Sequence, residues 1–308
     1  MDSLLDALKA ISEATRLRIL ALCRTGELSV NELCEILGQS QPRISRHLKL
    51  LVDAGVLEKI PEGNSVFHRL SQSMTGGQIA RQIVTLLPES DELLLEDQER
   101  LAKTKDIRAK NAAQYFKENA TQWNKLRALH VDEADVESLV TSLIPPKQAG
   151  ELLDIGTGTG RMLEIYGPHT LKSEGIDLSR HMLAIARSNL DKAAIQNCRV
   201  RQGDMYNLPY KRQSIDTILF HQVLHFADDP SRAVEEASRA LRPGGKILIV
   251  DFAPHKVESL RSEHAHRRLG FPEKEIKGWL EAAGLKIVSI QHLAGDPLTV
   301  SFWLAESP

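Results

Sequence analysis

Glu151-Leu152-Leu153-Asp154-Ile155-Gly156-Thr157-Gly158-Thr159-Gly160 runs from an apolar strand pattern straight into a loop with glycine at every second position. Such a loop lets backbone approach a ligand closely. The dinucleotide fingerprint places Gly or Ala where this chain has Arg161, because a helix must pack on the strand there, so a nicotinamide or flavin site is disfavoured. The next strand pattern, Ser173 to Ile176, ends in Asp177, about 20 residues on, where a carboxylate can hold ribose hydroxyls. Ribose is implied and pyrophosphate is not.

Further segments follow in order. Gly175-Ile176-Asp177-Leu178-Ser179 precedes Met182-Leu183, and Gly203-Asp204-Met205 forms a turn after a third strand. Ser214 to Ile218 reads as a fourth strand, followed by His221-Gln222-Val223-Leu224-His225, and Leu241-Arg242-Pro243-Gly244-Gly245 as the turn before a fifth. Alone, Pro243-Gly244-Gly245 is only a turn and Asp177 only a helix N-cap. Spaced by helical patterns at Met182 to Leu190 and Ala233 to Leu241, the segments describe alternating strands and helices, an α/β fold with a parallel sheet. In this order they resemble the class I S-adenosylmethionine (SAM)-dependent methyltransferases over roughly the second half of the chain. The resemblance implies a Rossmann-like domain that binds SAM or S-adenosylhomocysteine. It implies a pocket formed by Asp154, Gly156, Thr157, Gly158, Asp177, Leu178, Met182, Asp204, Met205 and His221.

Upstream, Leu4, Leu5, Leu8 and Ile11 fall at helical spacing, and Ala14 to Leu22 continues in a second amphipathic helix. Ser29 can cap a helix through Leu37 that Gly38 stops, and Ser40 can cap the next, with Pro42 in its first turn. This is a helix-turn-helix. Its second helix is expected to bury Ile44, Leu48, Leu50 and Leu51, leaving Gln41, Arg43, Ser45, Arg46, His47 and Lys49 mostly on other faces. No acidic residue stands between Glu35 and Asp53, so a duplex meets donors and positive charge. Val56 to Ile60 and Val66 to Leu70 flank Pro61-Glu62-Gly63-Asn64, a hairpin that reads as a wing. Leu4 to Leu70 resembles the ArsR/SmtB winged-helix repressors, with Glu13 to Leu20 close to that family's second helix. The resemblance implies a homodimer on double-stranded operator DNA, with Ser40, Gln41, Arg43, Ser45, Arg46, His47, Lys49 and Asn64 at the DNA.

The formal net charge of −2 supplies no global pull toward phosphate, but a repressor needs only a local basic face. Helix-turn-helix folds also serve as interaction modules, and Arg43 and Arg46 can be solvated surface charges. Many ArsR-type repressors sense metals through paired thiols, whereas Cys34 has no neighbouring cysteine and no metal site is expected. The three cysteines, the absence of a signal peptide and of any apolar stretch of membrane length read as a reduced, soluble, cytoplasmic protein. At 308 residues, 42% hydrophobic and 26% charged, the chain can bury two cores.

Three regions are expected: a winged helix over 1–88, a helical connector and pocket lid over 89–145, and a methyltransferase-like domain over 146–308. Ser73 to Leu87 is predicted to be a further repressor helix, and Glu89 to Lys110 a long, exposed helical connector. Tyr115 to Arg127 resembles the segment that covers the SAM pocket in small-molecule methyltransferases of the quinone and arsenite type. Tyr115, Phe116 and Trp123 then form a lid or simply pack a helical cap. Transfer from a sulfonium needs a base only if the acceptor carries a proton, and His221, His225 and Tyr210 are the candidates, with a wall histidine the plain alternative for His225. No cysteine lies in the motifs expected of arsenite enzymes. On a helix His264 and His266 point about 200° apart and cannot share one ion, so His264 to Phe271 reads as a basic helix terminus or an anion contact. Two functions compete: a DNA-binding regulator that senses SAM or S-adenosylhomocysteine, and a methyltransferase on a small-molecule acceptor that uses the winged helix for dimerisation or autoregulation.

Overall fold

The computed structural model describes residues 2–24, 26–62, 65–71, 75–119 and 132–308. Asn64 and Trp123, and the side chain of Phe116, lie outside the described residues. The chain divides into two compact units, 1–111 and 112–308.

In the first unit, α1 (Asp2–Ile11) and α2 (Ala14–Cys23) precede a two-residue strand β1 (Leu28–Ser29). The Glu13 side chain caps α2 by accepting from the Arg16 amide. A reciprocal capping box starts α3 (Val30–Leu37): the Glu32 amide donates to the Ser29 hydroxyl, and the Ser29 amide to the Glu32 carboxylate. Gly38 closes α3, and α4 (Gln41–Asp53) follows with Pro42 in its first turn. Strands β2 (Leu57–Glu62) and β3 (Ser65–Leu70) pair antiparallel with Glu62 opposite Ser65, so Pro61 and Glu62 belong to the ladder rather than to the turn. The sheet order is β1-β3-β2. Helix α5 spans Gly76–Thr85, starting later than the Ser73 expected.

Ile19, Leu20, Leu33, Ile36, Ile44, Leu48, Leu51 and Val56 form this unit's core. Leu50 is 43% exposed, contrary to expectation. Ile44, Leu48 and Leu51 follow the i, i+4, i+7 stripe, and Leu50 lies two residues out of phase with Leu48. In α1, only Ala7 and Ile11 are buried, while Leu4, Leu5 and Leu8 are exposed. Helix α6 (Glu92–Asn119) is long and mostly exposed over its described residues, as expected of the connector, but some of its side chains are anchored in this unit. Asp97 is buried and held by Arg18 through two bonds of 2.6 and 2.8 Å. Arg100 donates to the Ile36 carbonyl at 3.1 Å, and Leu101 joins the core.

One histidine makes this unit acid-sensitive. His68 on β3 is 4% exposed and lies opposite Lys59, and burial reinforced by that charge pushes its pKa down to about 4. The folded value is below the unfolded one, so the stability lost to His68 is nil above about pH 6.5. It grows as pH falls toward 4, to at most about 3 kcal/mol. Urea midpoints followed by circular dichroism between pH 7.5 and 4.5 are expected to fall less steeply for His68→Phe than for the parent chain. Equal slopes contradict the assignment.

In the second unit a seven-stranded sheet has the order β6-β5-β4-β7-β8-β10-β9. These strands are β4 (Glu151–Ile155), β5 (Lys172–Asp177), β6 (Cys198–Gln202), β7 (Ile215–His221), β8 (Leu241–Phe252), β9 (Lys286–Leu293) and β10 (Val300–Glu306). The first five run parallel, and β10 is antiparallel to both β8 and β9. Leu153, Ile218 and Ile249 pack into one core with Trp279 and Trp303. Their neighbours Leu152, Leu219 and Leu248 pack into the other with Tyr166 and Phe302. Both faces are covered, which explains near-continuous apolar strands. The chain winds outward through β5 and β6, then returns to β7 beside β4, and a crevice at the carboxyl ends of β4 and β7 is where such sheets bind ligands. Among the described residues, no helix is long and apolar enough to cross a membrane.

Candidate functional site

Strand register assembles the carboxyl edge of the sheet. Ile155 lies opposite Ile176 on one side and Phe220 on the other, and His221 lies opposite Val250. Asp177, Gly156 and His221 therefore leave the sheet side by side, with Asp251 one residue beyond.

The glycine loop is tied inward. The amides of Gly156 and Thr157 donate to the Ile176 carbonyl at 2.9 Å, that of Gly158 to Asp177 Oδ2 at 2.9 Å, and that of Gly160 to the Thr157 carbonyl. The Thr157 hydroxyl donates to buried Asp154 at 2.6 Å. A pyrophosphate cradle needs such amides turned outward, and these four are committed within the chain. Gly156 has φ of +73°, and a Cβ on it would meet Val223 Cγ2 at 2.2 Å. Sequence reasoning took the glycines as room for a ligand, but at Gly156 the room is taken by Val223. At Gly160 the close neighbour is Ala186. The helix–strand packing that a dinucleotide site assigns to the third glycine is thus met one residue earlier. Arg161 instead donates two hydrogen bonds to Glu137, at 2.6 and 2.7 Å, and one to Glu164. Those carboxylates hold its pKa above the ordinary arginine range.

Asp177 fits a ribose diol. Its Oδ1 accepts from the Ser179 amide at 2.7 Å and its Oδ2 from Gly158, and each oxygen retains acceptor capacity. Burial pushes its carboxyl up, opposed by these amides. Ser179, not Asp177, caps the following helix, Arg180–Lys192. Leu178 is 62% exposed beside the diol position and Met182 is buried in that helix. Asp204 is exposed, with Oδ1 accepting from the Tyr206 amide, and Met205 packs partly into the core.

The three base candidates separate. Tyr210 stacks its ring under Arg201 and faces Glu174, and burial with that carboxylate raises its phenol well above the ordinary range. A phenol held in its protonated form in this way is disfavoured as a base at neutral pH. His221 ends β7 and is buried. His225 is bonded through Nδ1 to Asp251 Oδ1 at 2.7 Å and stacked on His266. Sequence reasoning missed Asp251, whose only signal is an acidic residue ending an apolar strand. The segment after Glu263 is not a basic helix terminus. The helix Ser259–Glu263 stops there, Arg267 pairs with Asp228, and buried Arg268 pairs with Glu275. Among the described residues no cluster of three or more His, Cys, Asp or Glu is arranged to hold a metal. Burial raises the thiols of Cys23 and Cys198 to about 12 and about 11, as suits small packed side chains.

On α4, Gln41, Arg43, Ser45, Arg46 and Lys49 are exposed. His47 is the exception, half-buried with Nδ1 3.5 Å from Glu13, and burial lowers its pKa. Ser40 holds the N-cap position without a side-chain capping bond and is exposed.

Residues 13–59 match the arsR family of bacterial regulatory proteins, and residues 153–249 match a methyltransferase domain. The chain is 30% identical over 142 residues to an uncharacterized methyltransferase of Bacillus subtilis, YcgJ, covering 44% of this chain and 56% of that one. It is 33% identical over 111 residues to the phosphatidylethanolamine N-methyltransferase of Cereibacter sphaeroides, covering 35% and 54%. The chain spans about half the length of the curated relatives it matches. In fold it is similar to a chain of the complex between the Haloferax volcanii Trm112 methyltransferase activator and a methyltransferase. That likeness has a TM-score of 0.56 at 19% identity and covers 64% of this chain and 97% of that one.

Proposed function

We propose, from the ArsR-type helix-turn-helix domain and the class I methyltransferase domain that this chain carries, that it is a transcriptional regulator whose DNA binding responds to SAM or S-adenosylhomocysteine. The observation that carries the reading is the presence in one chain of an α4 face of Gln41, Arg43, Ser45, Arg46 and Lys49, turned to solvent, and of a ribose-type carboxylate, Asp177, beside a glycine loop. Asn64, Ser40 and, less directly, His47 complete the proposed DNA contacts. The exposed leucines of α1 suit a homodimer, which would set two recognition helices in successive major grooves. Asp154, Gly156, Thr157, Gly158, Asp177, Leu178, Met182, Asp204, Met205 and His221 are proposed to hold the cofactor, with Tyr115 above it as part of a lid. When bound, SAM supplies an activated methyl on a sulfonium, and its product lacks that charge. A ligand moves DNA binding only by binding two states unequally, and this charge is the difference available.

Separable losses test the reading. Arg46→Ala is expected to weaken binding to DNA from the chain's own promoter by about 10- to 100-fold, read by fluorescence anisotropy, with SAM affinity unchanged. Asp177→Ala is expected to weaken SAM binding by about 10- to 100-fold in calorimetry, with unliganded DNA binding intact. Equal loss of both activities in either folded variant contradicts two separate sites.

A further inference from the structure

One cluster at the carboxyl edge of the sheet lies outside the residues proposed to hold the cofactor. Asp251 is fully buried; its carboxyl group lies 2.7 Å from His225 Nδ1 and accepts from the His225 amide at 3.3 Å and from the Phe252 amide at 2.8 Å. An ionised carboxylate only accepts, so the ring carries its proton on Nδ1 and Nε2 is left to take one.

The surroundings hold that ring in place. His266 stacks on it with centroids 4.0 Å apart and planes 21° apart, and Phe226 and Phe252 lie at 4.1 and 5.3 Å. The amides of Arg267 and Arg268 donate to the His225 carbonyl, while their guanidinium groups go to Asp228 and Glu275. The titratable groups facing the imidazole are thus Asp251 from β8 and His266 from the loop. Backbone strain flanks the cluster on both sides. Gln222 has φ of +52° and Ala265 has φ of +56°, conformations that non-glycine residues keep only where the surroundings enforce them. Tyr115 meets the segment that carries His266, its hydroxyl 2.8 Å from His264 Nδ1. Val223, two residues before His225, packs against Gly156, so the imidazole follows the loop that touches the proposed cofactor site.

We propose that His225 is the general base of a methyl transfer to a hydroxyl group, with Asp251 as its positioning residue, a reading that rests on the cofactor assignment above. The acceptor O–H gives its proton to His225 Nε2 as the oxygen forms a bond to the methyl carbon. The carbon–sulfur bond breaks with its electron pair going to sulfur, leaving S-adenosylhomocysteine. The imidazolium, stabilised by Asp251, then releases the proton to water. A neutral amine attacks without a base and a thiol ionises readily, so an ordered His–Asp pair is of most use to a hydroxyl.

The full-length chain can be tested with catechol as the hydroxyl probe and thiophenol, largely ionised at neutral pH, as the probe that needs no base. His225→Asn keeps a donor for Asp251 and removes the proton acceptor. It is expected to lower the catechol-to-thiophenol rate ratio about 100-fold or more, with SAM affinity unchanged in calorimetry. Long-range 15N spectra are expected to show His225 protonated on Nδ1, and Asp251→Asn to lose that single tautomer. A proportional loss on both acceptors, or an Nε2-protonated His225, overturns the proposal. A chain that binds SAM and leaves catechol unmethylated overturns this proposal alone, whereas one that does not bind SAM overturns the cofactor assignment as well.

Discussion

Alanine at Gly156 is expected to disrupt the loop on which the cofactor reading depends. Its φ of +73° disfavours any side chain, and the new Cβ would sit 2.2 Å from Val223 Cγ2 and 2.8 Å from Val223 Cβ. Val223 is branched at Cβ and offers no flexible end to move aside. Left-handed backbone and overpacking together are expected to cost about 3 kcal/mol or more and to abolish SAM binding. Gly244 provides the control, because its φ is +71° with nothing within 4 Å of a built Cβ. Gly244→Ala is expected to cost only about 1 kcal/mol. Thermal melts of both variants, with SAM titrations on each, separate crowding from backbone strain. Equal destabilisation contradicts the role given to Val223.

Removing Arg268 is expected to have an effect of similar size by a different route. The side chain is 1% exposed, donates to Glu275 at 2.9 Å and lies 5.0 Å over the Phe271 ring. The Glu275 side chain, on the helix Glu273–Ala282, is itself only 8% exposed, so Arg268→Ala takes a close cationic partner away from a largely buried carboxylate. Such losses cost about 3–5 kcal/mol. Replacing both partners with apolar residues, as in Arg268→Met with Glu275→Leu, is expected to restore most of the urea stability, since no buried charge is then left unpaired. A double variant as unstable as the single one would place the stabilisation in other contacts of Arg268. The pair also matters for chemistry, because it anchors the loop that brings His266 onto His225.

Much of this was readable from local pattern. The Ser29/Glu32 capping box, the Ile44–Leu48–Leu51 stripe and the order of strands and helices in the second unit depend on spacing within one element, and those survive intact. The departures involve contacts between residues distant in sequence. Periodicity does not reveal that Asp97 meets Arg18 across 79 residues, the contact that anchors an otherwise exposed stretch of α6. Nor does it reveal that Asp251 meets His225 across 26 residues, or that Arg267 and Arg268 pair with Asp228 and Glu275. Leu50 departs for a local reason: its hydrophobic character points inward while its helical phase, two residues from Leu48, turns it to solvent. The glycine loop was located correctly, but its stereochemistry is explained by Val223 and Ala186, neighbours that a motif does not display.

The claim that one chain couples a cofactor to DNA is tested most directly by calorimetric titration of the purified protein with SAM and with S-adenosylhomocysteine, each repeated with DNA from its own promoter region. Linkage is reciprocal, so a ligand that alters DNA affinity must have its own affinity altered by DNA to the same degree. The account predicts unequal affinities for the two ligands and a preference that shifts when DNA is added. Tight binding of both ligands, unchanged by DNA, would contradict it.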